Sequence, residues 1–322
     1  MDKIKTILVV LITLTMSVLG IVFAFPSFSE TQKETLLILG IICGASVLYC
    51  FVVGEIAHNN SQMDKLWSLL PIAYTWVVAF KGDFKPRLVL FAIVVTLWGL
   101  RLTFNFARKG AYKLKFWEGE EDYRWAVLRS NSVLKNRALW ALFDLFFICI
   151  YQNFIVLAIT LPSVAVMDSV NALGVLDYVA FGGALFFLFI ETIADEQQMD
   201  FYTTRSILLE GGKKLSDLPA PYNRGFNTTG LWARSRHPNY LGEQSIWVFL
   251  YLCVIGAGVA VNGVFNWSIL GSMLLILLFL GSSIFGESIS SKKYPEYKTY
   301  QKHTSKYIPL WKYKGEEYYK NK

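Results

Sequence analysis

Asn239 and Glu243 stand four residues apart in the run SRHPNYLGE, residues 235–243, directly after Arg234, Arg236 and His237. On a helix opened by Pro238 they share one face, with Tyr240 beside them. Arginines placed before a helix N-terminus form an anion site, because free N–H groups and the helix dipole add to the guanidinium charge. A second pair lies in ETIADEQQMDF, residues 191–201, where Glu191 and Asp195 are also four apart. Like charges at that spacing repel. They are tolerated at a frayed helix end, or where a ligand donates hydrogen bonds to both. Basic and histidine side chains beside a membrane span also contact lipid head groups, so an anionic cofactor and the lipid surface are both open readings of this run.

The elements that must carry these residues belong to a membrane protein. The 322 residues are 54% hydrophobic and only 17% charged, with mean hydropathy +0.40. Apolar runs approach the roughly 20 residues that cross about 30 Å of hydrocarbon. The sequence predicts eight spans, at about 6–25, 36–53, 66–80, 87–106, 138–161, 175–194, 244–262 and 265–285. The third is short and carries Pro71, as a broken or re-entrant segment would. The expected fold class is therefore an all-α polytopic transmembrane helical bundle. Residues 1–35 form an N-terminal anchor span and loop, and 36–322 form the membrane domain. The first run is long for a signal peptide and no A-x-A site follows it, so it reads as a retained anchor.

Charge sets the orientation. With the N-terminus in the cytoplasm, 26 of the 31 lysines and arginines fall in inside segments and four fall outside. This asymmetry predicts that both termini are cytoplasmic. It also accounts for the pI of 9.1 without nucleic acid. Arg101 is the exception, a basic residue inside a predicted span, and such a residue calls for an anion, a buried acid or a snorkelled head group. The four cysteines fall in apolar spans and the three histidines lie far apart, so no metal-site spacing is present. P-loop and G-x-G-x-x-G patterns are absent. Asp64 precedes Trp67 where a span begins, and reads as a helix cap or as a site residue. The acids at 118–122 with Trp117, Tyr123 and Trp125 read as a solvated face or an ordered lid. The Tyr residues interleaved with Lys in 287–311 read as an amphipathic interfacial segment.

Taken together, W-S-x-x-P at 67–71, E-D-Y-R-W at 121–125, A-D-x-Q at 194–197, G-L-W-x-x-S-R-H-P-N-Y-x-G-E at 230–243 and K-Y-P-E-Y-x-x-Y at 293–300 resemble the DUF1295 family. That family resembles the steroid 5α-reductase C-terminal domain, with isoprenylcysteine carboxyl methyltransferases as more distant relatives. The resemblance implies a bacterial inner-membrane enzyme with its site facing the cytoplasm. It implies reduction by NADPH of a carbon–carbon double bond conjugated to a carbonyl in a hydrophobic, steroid- or lipid-like substrate. The reductases' Asn-Phe-x-Gly-Glu run maps onto Asn239, Tyr240, Gly242 and Glu243. Their Asn-x-x-x-Asp pair maps onto Glu191 and Asp195, with Glu in place of Asn, which keeps an acceptor and removes a donor. Arg234, Arg236 and Arg101 are the expected phosphate-side residues, and His237 is a further expected cofactor-binding residue. Asp64 and Tyr74 are the candidates for the acid that polarises substrate. The reductases' nucleotide Tyr falls at Glu287, which is closer to the methyltransferases. S-adenosylmethionine on a lipid or isoprenylcysteine-type acceptor is therefore the alternative chemistry, and a non-catalytic lipid-binding protein is the third reading. The expected partners are membrane lipids and the hydrophobic substrate, with no nucleic acid and no obligate protein partner.

Overall fold

The computed structural model describes residues 28–130 and 133–310. Among them no β-strand forms, and about 70% of the residues are helical. The principal helices are α1 (Glu30–Ala57), α2 (Gln62–Leu66), α3 (Leu70–Lys81), α4 (Pro86–Ala107), α5 (Tyr123–Arg129), α6 (Arg137–Val166), α7 (Val175–Leu209), α8 (Pro238–Gly256), α9 (Ile269–Lys293) and α10 (Tyr297–His303). Five of them, α1, α4, α6, α7 and α9, are long and apolar enough to cross a membrane. The expected span at 6–25 lies outside the described residues. The one at 66–80 emerges as the 12-residue α3, whose rise of roughly 18 Å falls short of the hydrocarbon thickness.

Local chemistry explains the helix boundaries. Ser29 caps α1 in a reciprocal box: its hydroxyl accepts from the Gln32 N–H, and the Gln32 side chain accepts from the Ser29 N–H, both at 3.1 Å. Asn136 caps α6 by accepting from the N–H groups of Ala138 and Leu139. Prolines occupy the opening turns of α3, α4 and α8. Inside α6, residues Asp144–Tyr151 widen into π-helical turns. An i→i+5 register brings Asp144 over Cys149, whose thiol donates to its carboxylate at 3.8 Å.

The chain divides into two compact units: 1–183 with 247–277, and 184–246 with 278–322. In the first, the buried core runs through Leu39, Tyr74, Val78, Val156, Val164 and Val254. Gly271 lets α9 cross α6 at close range, since a Cβ there would sit 2.1 Å from the Ala158 carbonyl oxygen. The same unit holds a buried ion pair. The Arg87 guanidinium donates to both carboxylate oxygens of Asp177, at 2.7 and 2.9 Å. Its remaining N–H groups reach Ser169 and the carbonyls of Asn171 and Ala172.

The region expected to be a lid is tied down to α2. Lys65, fully buried, donates at 2.7 Å to the carbonyls of Phe116 and Glu118. Burial holds its pKa below the usual lysine range, and neighbouring Asp64 opposes that shift. Gln62 and Asn59 add bonds to the carbonyls of Trp117 and Gly119. The backbone of 116–119 is thus packed, while the Glu118 and Glu120 side chains face solvent and Glu121 and Asp122 are half-buried.

Candidate functional site

The second unit gathers most of the residues read as cofactor ligands. Its frame is α7, which runs 15 residues past the expected span end at 194. Glu191 and Asp195 are therefore inside a helix and buried, at 4% and 7% exposure, so a frayed end does not explain them. The A-D-x-Q motif is the seam on which the next loop folds. The Gln197 side-chain oxygen accepts from the Leu231 N–H at 2.9 Å, and its backbone carbonyl accepts from the Asn227 amide at 3.1 Å. The Trp232 indole donates to the Ala194 carbonyl at 2.9 Å. This explains why G-L-W accompanies A-D-x-Q in the sequence: each satisfies the other's polar groups, as buried polar atoms require.

That loop delivers the chain to the start of α8. Arg236 and His237 donate their backbone N–H groups to the carbonyls of Ser305 and Lys306, at 2.9 and 3.1 Å. Gly242 then allows α8 to press on α7, since a Cβ on it would meet the Glu191 Cβ at 2.6 Å. The close approach sets Asn239 against Asp195, with the Asn239 amide nitrogen donating to the carboxylate at 3.2 Å. The amide oxygen of Asn239 is buried and has no hydrogen-bond partner. Glu243, next to Gly242, is 3% exposed. A buried acceptor without a donor costs about 1–3 kcal/mol. Asn239 oxygen is thus a place where a ligand N–H or O–H would be stabilised.

The basic residues divide in role. Arg234 is exposed and forms no ion pair among the described residues. Arg236 is engaged: its guanidinium donates to Glu287 at 2.6 Å, to the Gln301 carbonyl at 3.0 Å and to the Thr304 carbonyl. His237 meets the same carboxylate at 2.9 Å. Gln301 donates to its other oxygen, also at 2.9 Å. Glu287 is therefore the hub that ties α9 to the chain before α8 and to α10. Burial lowers the His237 pKa more than the hydrogen bond to Glu287 raises it. Tyr240 stacks on that ring at 5.1 Å and turns its hydroxyl toward Ser282. The spacing of R-H-P-N-Y gave no sign of the Glu287 contact, 51 residues away; an acid just past the expected span end at 285 was the available signal.

Asp64, Tyr74 and Arg101 belong to the first unit. Asp64 is not a helix cap. It lies within α2 and accepts from the Trp125 indole at 3.3 Å. Burial first, and then Asp122, raise its pKa above the usual carboxylate range, against Arg124, Ser61 and Trp125. Tyr74 is fully buried on α3, with the Cys43 thiol as its polar neighbour. Arg101 is half-buried on α4. No group of metal-ligating side chains occurs among the described residues.

The family model described as "Protein of unknown function (DUF1295)" matches residues 50–304, which include every element described above from α2 to α10. A protein of Schizosaccharomyces pombe (strain 972 / ATCC 24843), "Uncharacterized protein C594.04c", is 34% identical over 279 residues, covering 82% of this chain and 78% of that one. No solved structure matches the chain. The long family match and the extended similarity to the yeast protein agree, and the chain belongs to the DUF1295 family.

Proposed function

We propose that the protein is an integral membrane oxidoreductase that uses NADPH to reduce an activated carbon–carbon double bond in a hydrophobic, steroid- or lipid-like molecule. The observation that carries this reading is the divided Asn239 amide: its N–H is committed to Asp195, and its buried oxygen has no partner. A carboxamide NH₂ is the donor such an oxygen needs. Buried Glu191, Asp195 and Glu243 suit ribose hydroxyls, which donate. Glu191, Asp195, Asn239, Tyr240 and Glu243 would hold the nicotinamide and ribose, and Arg234 would serve the phosphates. Arg236 and His237 would act through Glu287, holding the start of α8 in place. NADPH supplies a hydride when bound. The chain's part is to orient the two reactants and to keep water out. The likeness of the Asn239–Glu243 run to that of the steroid reductases supports the same assignment.

S-adenosylmethionine is the rival, because three buried carboxylates and the Tyr240 ring would also suit a sulfonium. Asn239→Asp separates the two. It removes the amide and adds a carboxylate beside Asp195. NADPH affinity is expected to fall roughly ten- to a hundredfold, the worth of a hydrogen bond involving a charged group. Asn239→Ala, which removes the accepting oxygen without adding charge, should also weaken NADPH binding. Stronger S-adenosylmethionine binding by Asn239→Asp, measured by calorimetry in the same detergent, would refute the reductase reading.

We further propose eight spans, both termini in the cytoplasm and the site facing that side, from the 26-to-4 division of basic residues. Reporter fusions after residue 170 and after residue 322 should read external and cytoplasmic, respectively. An external C-terminus would overturn the assignment.

A further inference from the structure

A cavity of about 320 Å³ opens on the first unit between the end of α1 and the start of α6. Its polar walls are Glu55, His58, Asn60, Arg129, Lys135 and Arg137, and the Trp140 ring closes one side. The charges around it are unbalanced in both senses. Arg129 is held by Glu121 and Asn60. Lys135 and Arg137 are exposed and have no ion-pair partner among the described residues. Glu55 has no cation of its own either. Behind Glu55 and Asn60 lies Asp144, fully buried, with one carboxylate oxygen lacking any hydrogen-bond partner. Separated cations and carboxylates around one small cavity call for a ligand that carries both signs.

The surfaces below the cavity are apolar. Ile41, Leu48, Val52 and Ile56 form an exposed stripe along α1, and Leu139, Leu142, Phe146 and Ile150 form another along α6. Each follows helical spacing. Both stripes end at the cavity: Ile56 follows Glu55, and Leu139 lies two residues after Arg137. On a membrane protein such faces meet acyl chains.

We infer that this cavity binds the head group of a zwitterionic aminophospholipid, with the phosphate diester against Lys135 and Arg137 and the primary ammonium against Glu55, in the field of Asp144. A phosphoglycerol head group offers hydroxyls but no cation to Glu55. A quaternary choline has no N–H to donate to them. The inference stands on the first unit alone and does not depend on the redox reading.

The test uses the full-length protein in a maltoside detergent. Dihexanoyl-phosphatidylethanolamine, -phosphatidylcholine and -phosphatidylglycerol, and inorganic phosphate, are each titrated below micelle concentration by calorimetry. The ethanolamine lipid is expected to bind at least tenfold more tightly than the others, since a hydrogen bond to a charged group discriminates by roughly ten- to a hundredfold. Glu55→Gln should erase that preference while leaving Tm unchanged. Lys135→Gln with Arg137→Gln should weaken all three lipids together. Equal binding of the three lipids, a preference that survives Glu55→Gln, or inorganic phosphate binding as tightly as lipid would overturn the inference.

Discussion

Replacing Glu287 with Ala should destabilise the second unit by about 3–5 kcal/mol, the usual cost of removing one partner from a buried ion pair. The Arg236 and Glu287 side chains are only 11% and 8% exposed. Losing the carboxylate would strand the guanidinium, remove the acceptor for His237 and free the Gln301 amide. The damage should spread to the start of α8, because Arg236 also holds the carbonyls of Gln301 and Thr304. Thermal unfolding in detergent should show Tm lower by several degrees. Glu287→Gln, which keeps the shape and one acceptor oxygen, should lose less. A Tm unchanged in Glu287→Ala would contradict the role of Glu287 as the hub of this unit.

Asp177→Ala should be as costly to the first unit, again about 3–5 kcal/mol. Asp177 is fully buried, and Arg87 is 5% exposed. The carboxylate also accepts from the Gly174 N–H at 2.9 Å, so it fixes the turn that opens α7. Without it, the Arg87 charge would remain in an apolar surround with only Ser169 and two carbonyls for company. The double variant Arg87→Leu with Asp177→Leu removes both charges and should recover most of the loss. Buried pairs often cost more to desolvate than they return, so the second substitution relieves what the first exposes. Unfolding of both variants and the two single changes closes the cycle. Additive losses would show that the two residues do not act as a pair.

Arg87 also marks how far the sequence could be read. Its position beside Pro86, at the edge of an apolar run, shows where α4 begins, and its charge counts toward the outer side of the predicted topology. Its partner is 90 residues away, and nothing in local spacing announces it. The long apolar helices were legible because hydropathy marks their extents, and α8 begins at Pro238 as expected. The extension of α7 to Leu209 was not, because residues 195–209 are polar and hydropathy marks lipid contact rather than helix. The expectation of a span at 66–80 was shortened to α3 because a helix begun by Leu70 and Pro71 leaves only 12 residues before Gly82.

At the candidate site, spacings within one helix were informative. The i,i+4 relations of Glu191 with Asp195 and of Asn239 with Glu243 place each pair on a helix that the structure contains. Contacts between helices were hidden. The sequence shows two arginines beside a helix start, but only the fold reveals that Arg236 is bound to Glu287 while Arg234 stays exposed. The small residue that permits α7 and α8 to meet, Gly242, was visible only as part of a motif, and its reason is the 2.6 Å clearance to Glu191.

The measurement that bears most directly on the proposed reductase is cofactor binding by the wild-type protein. Purified in maltoside, it is titrated with NADPH and, separately, with S-adenosylmethionine. The proposed chemistry predicts saturable binding of NADPH at one site per chain and none of S-adenosylmethionine. Saturable S-adenosylmethionine binding without NADPH binding would contradict it.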